Sequence, residues 1–441
     1  MFSRKDLLML LIPVMTEQVL TCLMGSVDTV MVSNVGSSAI SAVSLVDSLN
    51  VLIIQALSAL SAGGAIICSH YIGSDSAGNA NHAARQLLIS VFTLSLITTA
   101  VLMSVSSPLL SLLFGKADPE IMSDSKIYFF YTALSYPFIA LYDSGAAVFR
   151  AESVTRIPLS VSVISNMTNI AGNAIGIFLL HDGVRGAAIP TLLSRILAAV
   201  LIICFLRSKK HPVSVRNYFS IRPDYVMIKR ILKIGIPSGI ENSMFQFGKL
   251  AIQSTVSAMG TVSIAAQAMT NTLEGLSGIA AIGIGIGLMT VTGECLGAGR
   301  RNEAVYYIKK LTLVSEIVII ISSALMLVLT PAFTGIGHME PESASMCFHM
   351  MLAISIVKPA VWTFSFIPAY GMRAAGDVKF SMTVSCISMW VSRVALCIFL
   401  VHTFHMGPFA VWIGMFTDWT VRAIFFAVRF YSMKWLSHKV I

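Results

Sequence analysis

The feature that most constrains this chain is a series of apolar stretches, each about 20 residues or longer, that recur from one end to the other. A stretch of that length crosses the hydrocarbon core of a membrane as a helix. Only 12% of the 441 residues are charged and 56% are hydrophobic, whereas soluble domains carry about 25% charged residues. We therefore predict an integral membrane protein, which excludes a soluble enzyme and a soluble nucleic-acid-binding protein.

The apolar stretches predict twelve transmembrane helices. They lie at approximately residues 7–32, 40–72, 87–113, 127–148, 157–180, 186–206, 231–257, 262–292, 306–330, 344–370, 380–402 and 408–430. Alternation of apolar and polar residues with a period of two, which a membrane β-barrel requires, is absent from the sequence. Because backbone polar groups in lipid must bond internally, the predicted fold is an all-α membrane protein.

Basic residues predict the orientation of these helices. The net charge of +9 is spread between the apolar stretches rather than gathered in one patch, so membrane topology explains it and no nucleic-acid partner is expected. With both termini in the cytoplasm, inner loops and tails hold 22 Lys and Arg, and outer loops hold only Lys116, Lys126 and Arg185. The positive-inside rule therefore predicts cytoplasmic termini. The first apolar stretch is too long for a signal peptide and lacks a cleavage site, so we expect a retained first helix.

The two halves of the chain form an internal repeat. A shift of 224 residues gives 14 identities in the 69 positions from residue 12 to residue 80, without a gap. The matched pairs include Pro13 with Pro237, Glu17 with Glu241, Gly36 with Gly260, Gly63 with Gly287, and Gly73 with Gly297. We predict an N-terminal six-helix lobe at 1–206, a cytoplasmic linker at 207–230 and a C-terminal six-helix lobe at 231–441.

This repeat favours a transporter over other membrane proteins. Six helices per lobe place the second lobe in the membrane with the same orientation as the first, and two such lobes provide alternating access to a site between them. A channel or a receptor without coupled transport is the alternative from another class, but the sequence has no selectivity-filter motif. Neither a nucleotide-binding loop nor a recognisable catalytic spacing is present, so we predict no enzyme activity and no cofactor.

Four sequence runs resemble a known family. They are GSVDTVMV at 25–32, GAGRRNEA at 297–304, RAAGD at 373–377 and VWIGMFTDWTVR at 411–422. In order and spacing they are similar to multidrug and toxic compound extrusion (MATE) transporters, in particular bacterial members of the DNA-damage-inducible branch. The resemblance implies two six-helix bundles in the bacterial plasma membrane, working as a monomer. It implies export of amphipathic, often cationic compounds in exchange for protons or sodium ions. A lipid-linked oligosaccharide flippase of the same superfamily is the alternative, and would have a more cationic cavity.

Asp28 is the main candidate for ion coupling. An acid inside the membrane is costly and marks function by default, and Pro13 supplies a weak point at which the same helix could bend. The resemblance implies a cation or proton site formed by Asp28 with Asn169, Asn173 and Thr191, and no other metal site. Many relatives carry a second Asp at the position of Asn173, so we favour H⁺ over Na⁺. A structural role for Asp28, holding helices together, is the alternative.

Further polar and adaptable side chains are predicted to line a cavity or contact substrate. They are Asp47, Gln55, Glu241, Phe245, Gln246, Met269, Glu274 and Met289. In the repeat, Asp47 and Glu274 each correspond to an amide residue of the other half. This exchange suggests that both acids contact cavity water or a cationic substrate. Hydrogen bonding between helices is the alternative. For Glu241, the alternative is a structural role at a helix end. The acids that another branch of the family carries in its C-terminal lobe are replaced by Phe245 and Trp362, so no acid site is expected there.

Overall fold

A computed structural model describes residues 1–114, 118–208, 211–215 and 222–441. Of residue 114 it describes the backbone only. Over these ranges the chain forms helices and turns and contains no strand. Among the basic residues that were counted for the membrane orientation, Lys116, Lys209, Lys210 and Arg216 lie outside the described residues. The helices of the first half are α1 (Arg4–Ser33), α2 (Ser37–Gly73), α3 (Ala77–Ser104), α4 (Ser106–Phe114), α5 (Pro119–Leu134), α6 (Tyr136–Ala151), α7 (Arg156–Asn173), a π-helical turn (Ala174–Leu179) and α8 (Arg185–Leu206).

The second half repeats this order with small differences. Its helices are α9 (Tyr225–Ser257), α10 (Thr261–Gly297), α11 (Arg301–Ile336), α12 (Pro341–Ala374), α13 (Val378–Ser388), a π-helical segment (Met389–Ala395), α14 (Leu396–Phe404), α15 (Phe409–Tyr431) and a 3₁₀ turn (Lys434–Ser437). Each predicted transmembrane stretch corresponds to one of these helices or to consecutive helical pieces, which confirms the all-α membrane fold.

Nine helical segments in the described part of the chain are long and apolar enough to cross a membrane. The other three predicted stretches, at 127–148, 157–180 and 231–257, are also helical but more polar or interrupted. The first is interrupted at Ser135, between α5 and α6. The second contains Asn169 and Asn173, so the polar candidates of the site lie on a helix that is less apolar than its neighbours.

Contacts divide the chain into two compact units whose boundaries lie inside α1 and α9. One unit comprises Met1–Val19 with Ile240–Ile441, and the other comprises Leu20–Gly239. The units therefore differ from lobes drawn in chain order at 1–206 and 231–441, because the first halves of α1 and α9 pack with the helices of the other half of the sequence.

Glycines explain this exchange of half-helices. In the unit of Leu20–Gly239, a Cβ atom added to Gly63 would lie 2.8 Å from the backbone nitrogen of Gly235 on α9. In the other unit, a Cβ atom on Gly287 would lie 2.5 Å from the Leu11 side chain on α1. Gly63 and Gly287 are mates in the 224-residue repeat, and so are Leu11 and Gly235. Small residues that permit close helix approach are typical of membrane bundles, and here they form the same contact in both units.

Each unit has a dense interior and an apolar exterior. Trp412 and Trp419 are fully buried in one unit, as are Phe129, Tyr136 and Phe149 in the other. Large apolar side chains also cover outer faces, as on α11, where Leu313, Ile321 and Val328 are exposed. Apolar faces of this extent are unstable in water and stable against lipid, as expected for a multi-pass membrane protein.

Side-chain amides hold the segment between α8 and α9 against the unit of Leu20–Gly239. Asn81 donates to the Pro212 carbonyl at 3.3 Å and accepts from the Ser214 N–H at 2.6 Å. Gln86 donates to the Arg222 carbonyl at 2.8 Å and accepts from the Asp224 N–H at 2.9 Å. Both amides on α3 therefore bind the segment through its backbone, and they require no particular side chains from it.

Glu152, which follows α6, also holds this segment. Its Oε1 atom accepts from the Val213 N–H at 2.7 Å, and its Oε2 atom lies 3.9 Å from His211 Nδ1. The Oε2 atom is buried and has no hydrogen-bond partner among the described residues. Burial raises the pKa of Glu152 to about 8, opposed by the Val213 hydrogen bond. The docked carboxyl group is therefore mainly neutral at pH 7.

Docking of residues 211–215 is expected to weaken as pH rises. A released Glu152 carboxyl would regain its ordinary pKa of 4.5, so docking is strongest below that pH and is lost as pH rises through about 8. Between pH 7 and pH 9, the protection of the Val213 amide should fall about tenfold. Hydrogen–deuterium exchange, corrected for intrinsic rates, measures this change. Glu152→Gln should remove it, and an equal pH dependence in that variant would contradict the assignment.

Candidate ion-coupling site and substrate contacts

A chain of hydrogen bonds links four predicted coupling residues. The Asn173 amide nitrogen lies 2.9 Å from Asp28 Oδ1 and 3.1 Å from Asn169 Oδ1. The Asn169 amide nitrogen in turn lies 3.1 Å from the Thr191 hydroxyl oxygen. Asn169 and Asn173 are buried on one face of α7, one turn apart. The structure thus brings Asp28, Asn169, Asn173 and Thr191 into one site within a single unit.

The local backbone explains why α7 and α8 carry these groups so close together. A Cβ atom on Gly172 would lie 2.6 Å from the Pro190 ring, and one on Gly176 would lie 2.4 Å from the carbonyl oxygen of Gly186. Directly after Asn173, α7 changes to the π-helical turn of Ala174–Leu179. Such turns are frequent at functional sites because they redirect side chains.

One oxygen atom in this hydrogen-bonded group can still accept a hydrogen bond or bind a cation. The Oδ1 atom of Asn173 is buried and accepts no hydrogen bond from any described residue. Nearly all buried polar atoms in proteins are hydrogen-bonded, so an orphaned oxygen beside a carboxylate needs an explanation. Carboxylate and amide oxygens are ligands for hard cations, and the same oxygens accept a hydrogen bond from a protonated carboxyl group. The site is chemically suited to a proton or a small cation.

Asp47 lies beside this chain in a second polar group. Asn50 donates to Asp47 at 3.0 Å, and the Tyr136 hydroxyl donates to Asn50 at 2.7 Å. Tyr128 also donates to Asp47. Asp47 is therefore held by hydrogen bonds between helices, the alternative that the sequence left open.

Arg195 on α8 completes the charges of this site. It lies within electrostatic range of Asp28 and Asp47, and its Nη1 atom donates to the Ser135 hydroxyl at 2.6 Å. Two acids and one arginine leave the site with one negative charge when both carboxyl groups are ionised. Sequence reasoning did not assign Arg195 to this site, although a basic residue in the middle of an apolar helix is a detectable signal.

Two acids of the other unit are engaged in ion pairs. Glu241 lies 2.6 Å from Arg373, and Glu274 lies 2.6 Å from Lys358. The pair favours the alternative of a contact between helices, because a buried lysine already neutralises Glu274, and contact with substrate stays a prediction. The same holds for Glu241, whose carboxylate is buried against α12.

The remaining predicted contacts have varied surroundings. Phe245 is partly buried, with Lys249, Arg393 and Arg422 lying over its ring. Met269 packs near Gly337 and belongs to the apolar interior. Of the other predicted side chains, Gln55 is exposed, and Gln246 and Met289 are partly buried.

Pro13 lies within α1, which remains helical from Arg4 to Ser33. A proline inside a helix removes one backbone hydrogen bond and weakens the turn before it. Pro13 is buried in the unit that contains Met1–Val19, and Asp28 lies on the other side of the unit boundary within α1. A bend at Pro13 therefore stays a prediction.

Fold and site together define a helical membrane transporter with two related halves, one of which carries a partly buried acid in a polar site. The profile of the MatE family matches residues 13–175 and 237–399, and these two matches are offset by the same 224 residues as the repeat. The chain therefore belongs to the MatE family, as the four sequence runs predicted.

Individual relatives agree with this assignment. The chain is 26% identical to a "Probable multidrug resistance protein NorM" of Thermotoga maritima over 456 residues, covering 99% of this chain and 94% of the relative. It is 26% identical to an "Uncharacterized transporter YisQ" of Bacillus subtilis, covering 96% of this chain and 93% of the relative. Its fold is similar to a crystal structure of MATE in the straight conformation, with a TM-score of 0.88, 21% identity and coverage of 98% and 96%.

Proposed function

We propose that this chain is a secondary transporter that exports amphipathic, often cationic organic compounds, driven by the inward movement of protons. Membership of the MatE family and the multidrug-resistance names of its relatives support the substrate class. The observation that carries the coupling mechanism is the hydrogen-bonded chain of Asp28, Asn173, Asn169 and Thr191.

In this mechanism Asp28 takes up a proton on one side of the membrane and releases it on the other. Asn173 donates to the ionised carboxylate and so stabilises it inside the membrane. When Asp28 is protonated, the orphaned Oδ1 atom of Asn173 offers an acceptor for the new O–H group. The amide thus has a partner for each protonation state, and the exchange needs only small side-chain movements.

Protons are favoured over sodium ions because the site has few negative charges. A Na⁺ ion requires several oxygen ligands and gains from more than one carboxylate, but Arg195 already compensates one of the two acids near the site. Sodium coupling is the alternative ion, and the test below separates the two.

We further propose that the transporter works as a monomer in the bacterial plasma membrane with both termini in the cytoplasm. The asymmetry of basic residues in the sequence supports this orientation. The presence of both repeats in one chain supports a monomeric transport unit. Reactivity of single cysteines placed near each terminus toward a membrane-impermeant maleimide, in intact cells and in inverted vesicles, tests the orientation.

Efflux from proteoliposomes tests the proposed function. Purified protein is reconstituted with ethidium, a fluorescent cationic dye, and a proton gradient or a sodium gradient is imposed separately. We expect dye movement driven by the proton gradient and abolished by a protonophore. Movement driven only by sodium would overturn the choice of ion. No response to either gradient would contradict coupled export and direct attention to a lipid-linked substrate.

Replacing Asn173 by aspartate should shift ion preference toward sodium. Asn173→Asp adds a second carboxylate one hydrogen bond away from Asp28, which gives a hard cation another charged ligand. We expect sodium-driven efflux to rise by about tenfold relative to proton-driven efflux, the effect of about 1.4 kcal/mol. The matched control is Asn166→Asp, which should leave the ratio unchanged. Asn166 lies one turn before Asn169, and its amide donates to the Ser162 hydroxyl at 3.4 Å. An unchanged ratio in Asn173→Asp would show that Asn173 is not a ligand.

A further inference from the structure

Three cationic side chains surround one aromatic ring in the unit that contains Ile240–Ile441. Lys249 Nζ lies 5.0 Å from the centroid of the Phe245 ring, Arg393 Cζ lies 5.1 Å from it, and Arg422 Cζ lies 5.8 Å from it. We call Phe245, Lys249, Arg393 and Arg422 the Phe245 cluster. They come from α9, the π-helical segment and α15, so the fold assembles the cluster from distant parts of the sequence.

The acids near this cluster do not balance its charge. Asp418 is bound by Arg422 at 2.9 Å, and Glu274 is bound by Lys358 at 2.6 Å. Both acids lie within electrostatic range of Arg393, as does Arg422. Neither Lys249 nor Arg393 forms an ion pair with any acid in the described ranges. Four cations and two acids leave an excess of two positive charges.

Arg393 carries the strongest indication of a missing partner. Only 6% of the residue is exposed, its Nη1 atom contacts the sulfur of Met389 at 3.8 Å, and its buried Nε atom has no acceptor among the residues that the structure describes. A buried guanidinium without an anion is costly in a protein interior and more so in a membrane. Its planar donors fit the two oxygens of a carboxylate.

Lys249 adds a second cation that a ligand can reach. Its residue is exposed, but its ammonium lies near the Phe245 ring and within electrostatic range of Arg393 and Glu274. The ammonium group therefore lies near the other charged groups of the cluster. An accessible lysine and a buried arginine next to the same ring form a site with one open side.

The repeat shows that this cluster is not a second copy of the Asp28 site. At the 224-residue shift, Asp28 corresponds to Ile252, Asn169 to Arg393 and Thr191 to Met415. The acid is replaced by an apolar residue and an amide by an arginine. The two sites therefore differ in net charge, negative in the first half and positive in the second, and an anionic ligand is expected in the second.

We propose that the Phe245 cluster binds the carboxylate group of an aromatic substrate. This inference rests on the proposed export function and adds to its substrates aromatic compounds that carry an anionic group, including zwitterions. Lys249 and Arg393 supply the charge, and Phe245 supplies a ring face. The stacked rings of Trp362 and Phe366, 4.9 Å apart, lie next to Arg422, whose Cζ atom is 5.1 Å from Phe366. The flat rings beside these cations suit a carboxylate carried by an aromatic compound better than a pyrophosphate on an aliphatic chain.

Two rhodamine dyes that differ in one group test this proposal. Rhodamine 110 has a free carboxylate, and rhodamine 123 is its methyl ester, so both share the same cationic ring system. Binding to the full chain in lipid nanodiscs is followed by fluorescence anisotropy, without any ion gradient. We expect rhodamine 110 to bind about tenfold more tightly than rhodamine 123, the effect of one charge-assisted contact. Equal binding, tighter binding of the ester, or no binding of rhodamine 110 would overturn the proposal.

Variants link this preference to the cluster. Lys249→Gln and Arg393→Gln should each reduce the preference for rhodamine 110 at least about threefold. Arg393→Lys, which keeps the charge but loses the planar pair of donors, should reduce it less than Arg393→Gln. Lys434→Gln, an exposed lysine of the same unit, is the matched control and should bind like the parent protein. A preference that persists in the Lys249→Gln, Arg393→Gln double variant would place the carboxylate elsewhere.

Two further comparisons distinguish this carboxylate site from a site for a lipid pyrophosphate, and its failure from a failure of the export function. Farnesyl pyrophosphate, a lipid-like pyrophosphate, should displace rhodamine 110 no better than a simple aromatic carboxylate such as 1-naphthoate. Much stronger displacement by the pyrophosphate would overturn the assignment in favour of a lipid ligand. Because dye binding requires no coupling, a failure of this inference leaves gradient-driven ethidium efflux intact, whereas a failure of the export function abolishes efflux and leaves the binding preference in place.

Discussion

Gradient-driven efflux is expected to fall by about 100-fold or more when Asp28 is replaced by asparagine, the scale of losing a proton-transferring group. The substituted amide would keep the size of the side chain and one acceptor oxygen, so the hydrogen bond from Asn173 at 2.9 Å can persist. What the variant loses is the ability to change charge as a proton binds and leaves. The proteoliposome assay with an imposed proton gradient measures the effect.

The Asp28→Asn variant needs evidence that it is folded and that it still binds substrate. A monodisperse elution profile and a melting temperature near that of the parent protein supply the first, and unchanged ethidium binding supplies the second. Asp182→Asn, in the exposed turn between the π-helical turn and α8, is the control and should transport normally. Undiminished proton-driven efflux in Asp28→Asn would remove Asp28 from the coupling mechanism.

Much of the Asp28 site could be predicted from the sequence. Asn169 and Asn173 are four residues apart on a helix, so they share a face whatever the rest of the fold does. Thr191 and Asp28 required the resemblance to place them there, since they come from other helices. Arg195 could not be assigned, because its position beside Asp28 and Asp47 depends on how α8 packs on its neighbours.

The C-terminal half shows where sequence reasoning fails. Glu274 is an acid in an apolar helix, and the sequence is equally consistent with its exposure to a cavity and with its burial in an ion pair. Its partner, Lys358, is 84 residues away in the sequence. The sequence also does not say which of the three cations Lys249, Arg393 and Arg422 pairs with an acid. Only Arg422 pairs with an acid in the described part of the chain. Which cations keep a partner is decided by tertiary packing, which one sequence does not reveal.

The same packing predicts a large stability effect at Lys358. This residue is fully buried. Its ammonium donates to Glu274 Oε1 at 2.6 Å, to the Glu274 carbonyl at 2.8 Å and to the Ser277 hydroxyl at 2.7 Å. All three N–H donors are thus used, and the Trp362 ring lies 5.3 Å from the same nitrogen. The pair joins α10 to α12, and no water is needed to complete its hydrogen bonds.

Lys358→Met should destabilise the protein by about 3 to 5 kcal/mol, because it leaves the Glu274 carboxylate without its counterion. In purified protein we expect the apparent melting temperature to fall by about 5 °C. Glu274→Gln alone should be similarly destabilising, since it strands a buried ammonium. The double variant Lys358→Met, Glu274→Gln should be more stable than either single variant, because neither charge is then left behind.

Lys379→Met, at an exposed position in the first turn of α13, is the matched control and should melt within about 1 °C of the parent protein. If the two single variants and the double variant instead lose stability additively, the pair contributes no coupling energy and Lys358 is held by its other contacts. A recovery in the double variant would show that the pair balances its own charge. The positive excess around Phe245 would then belong to Lys249 and Arg393 alone, and these are the two side chains that an anionic substrate must neutralise.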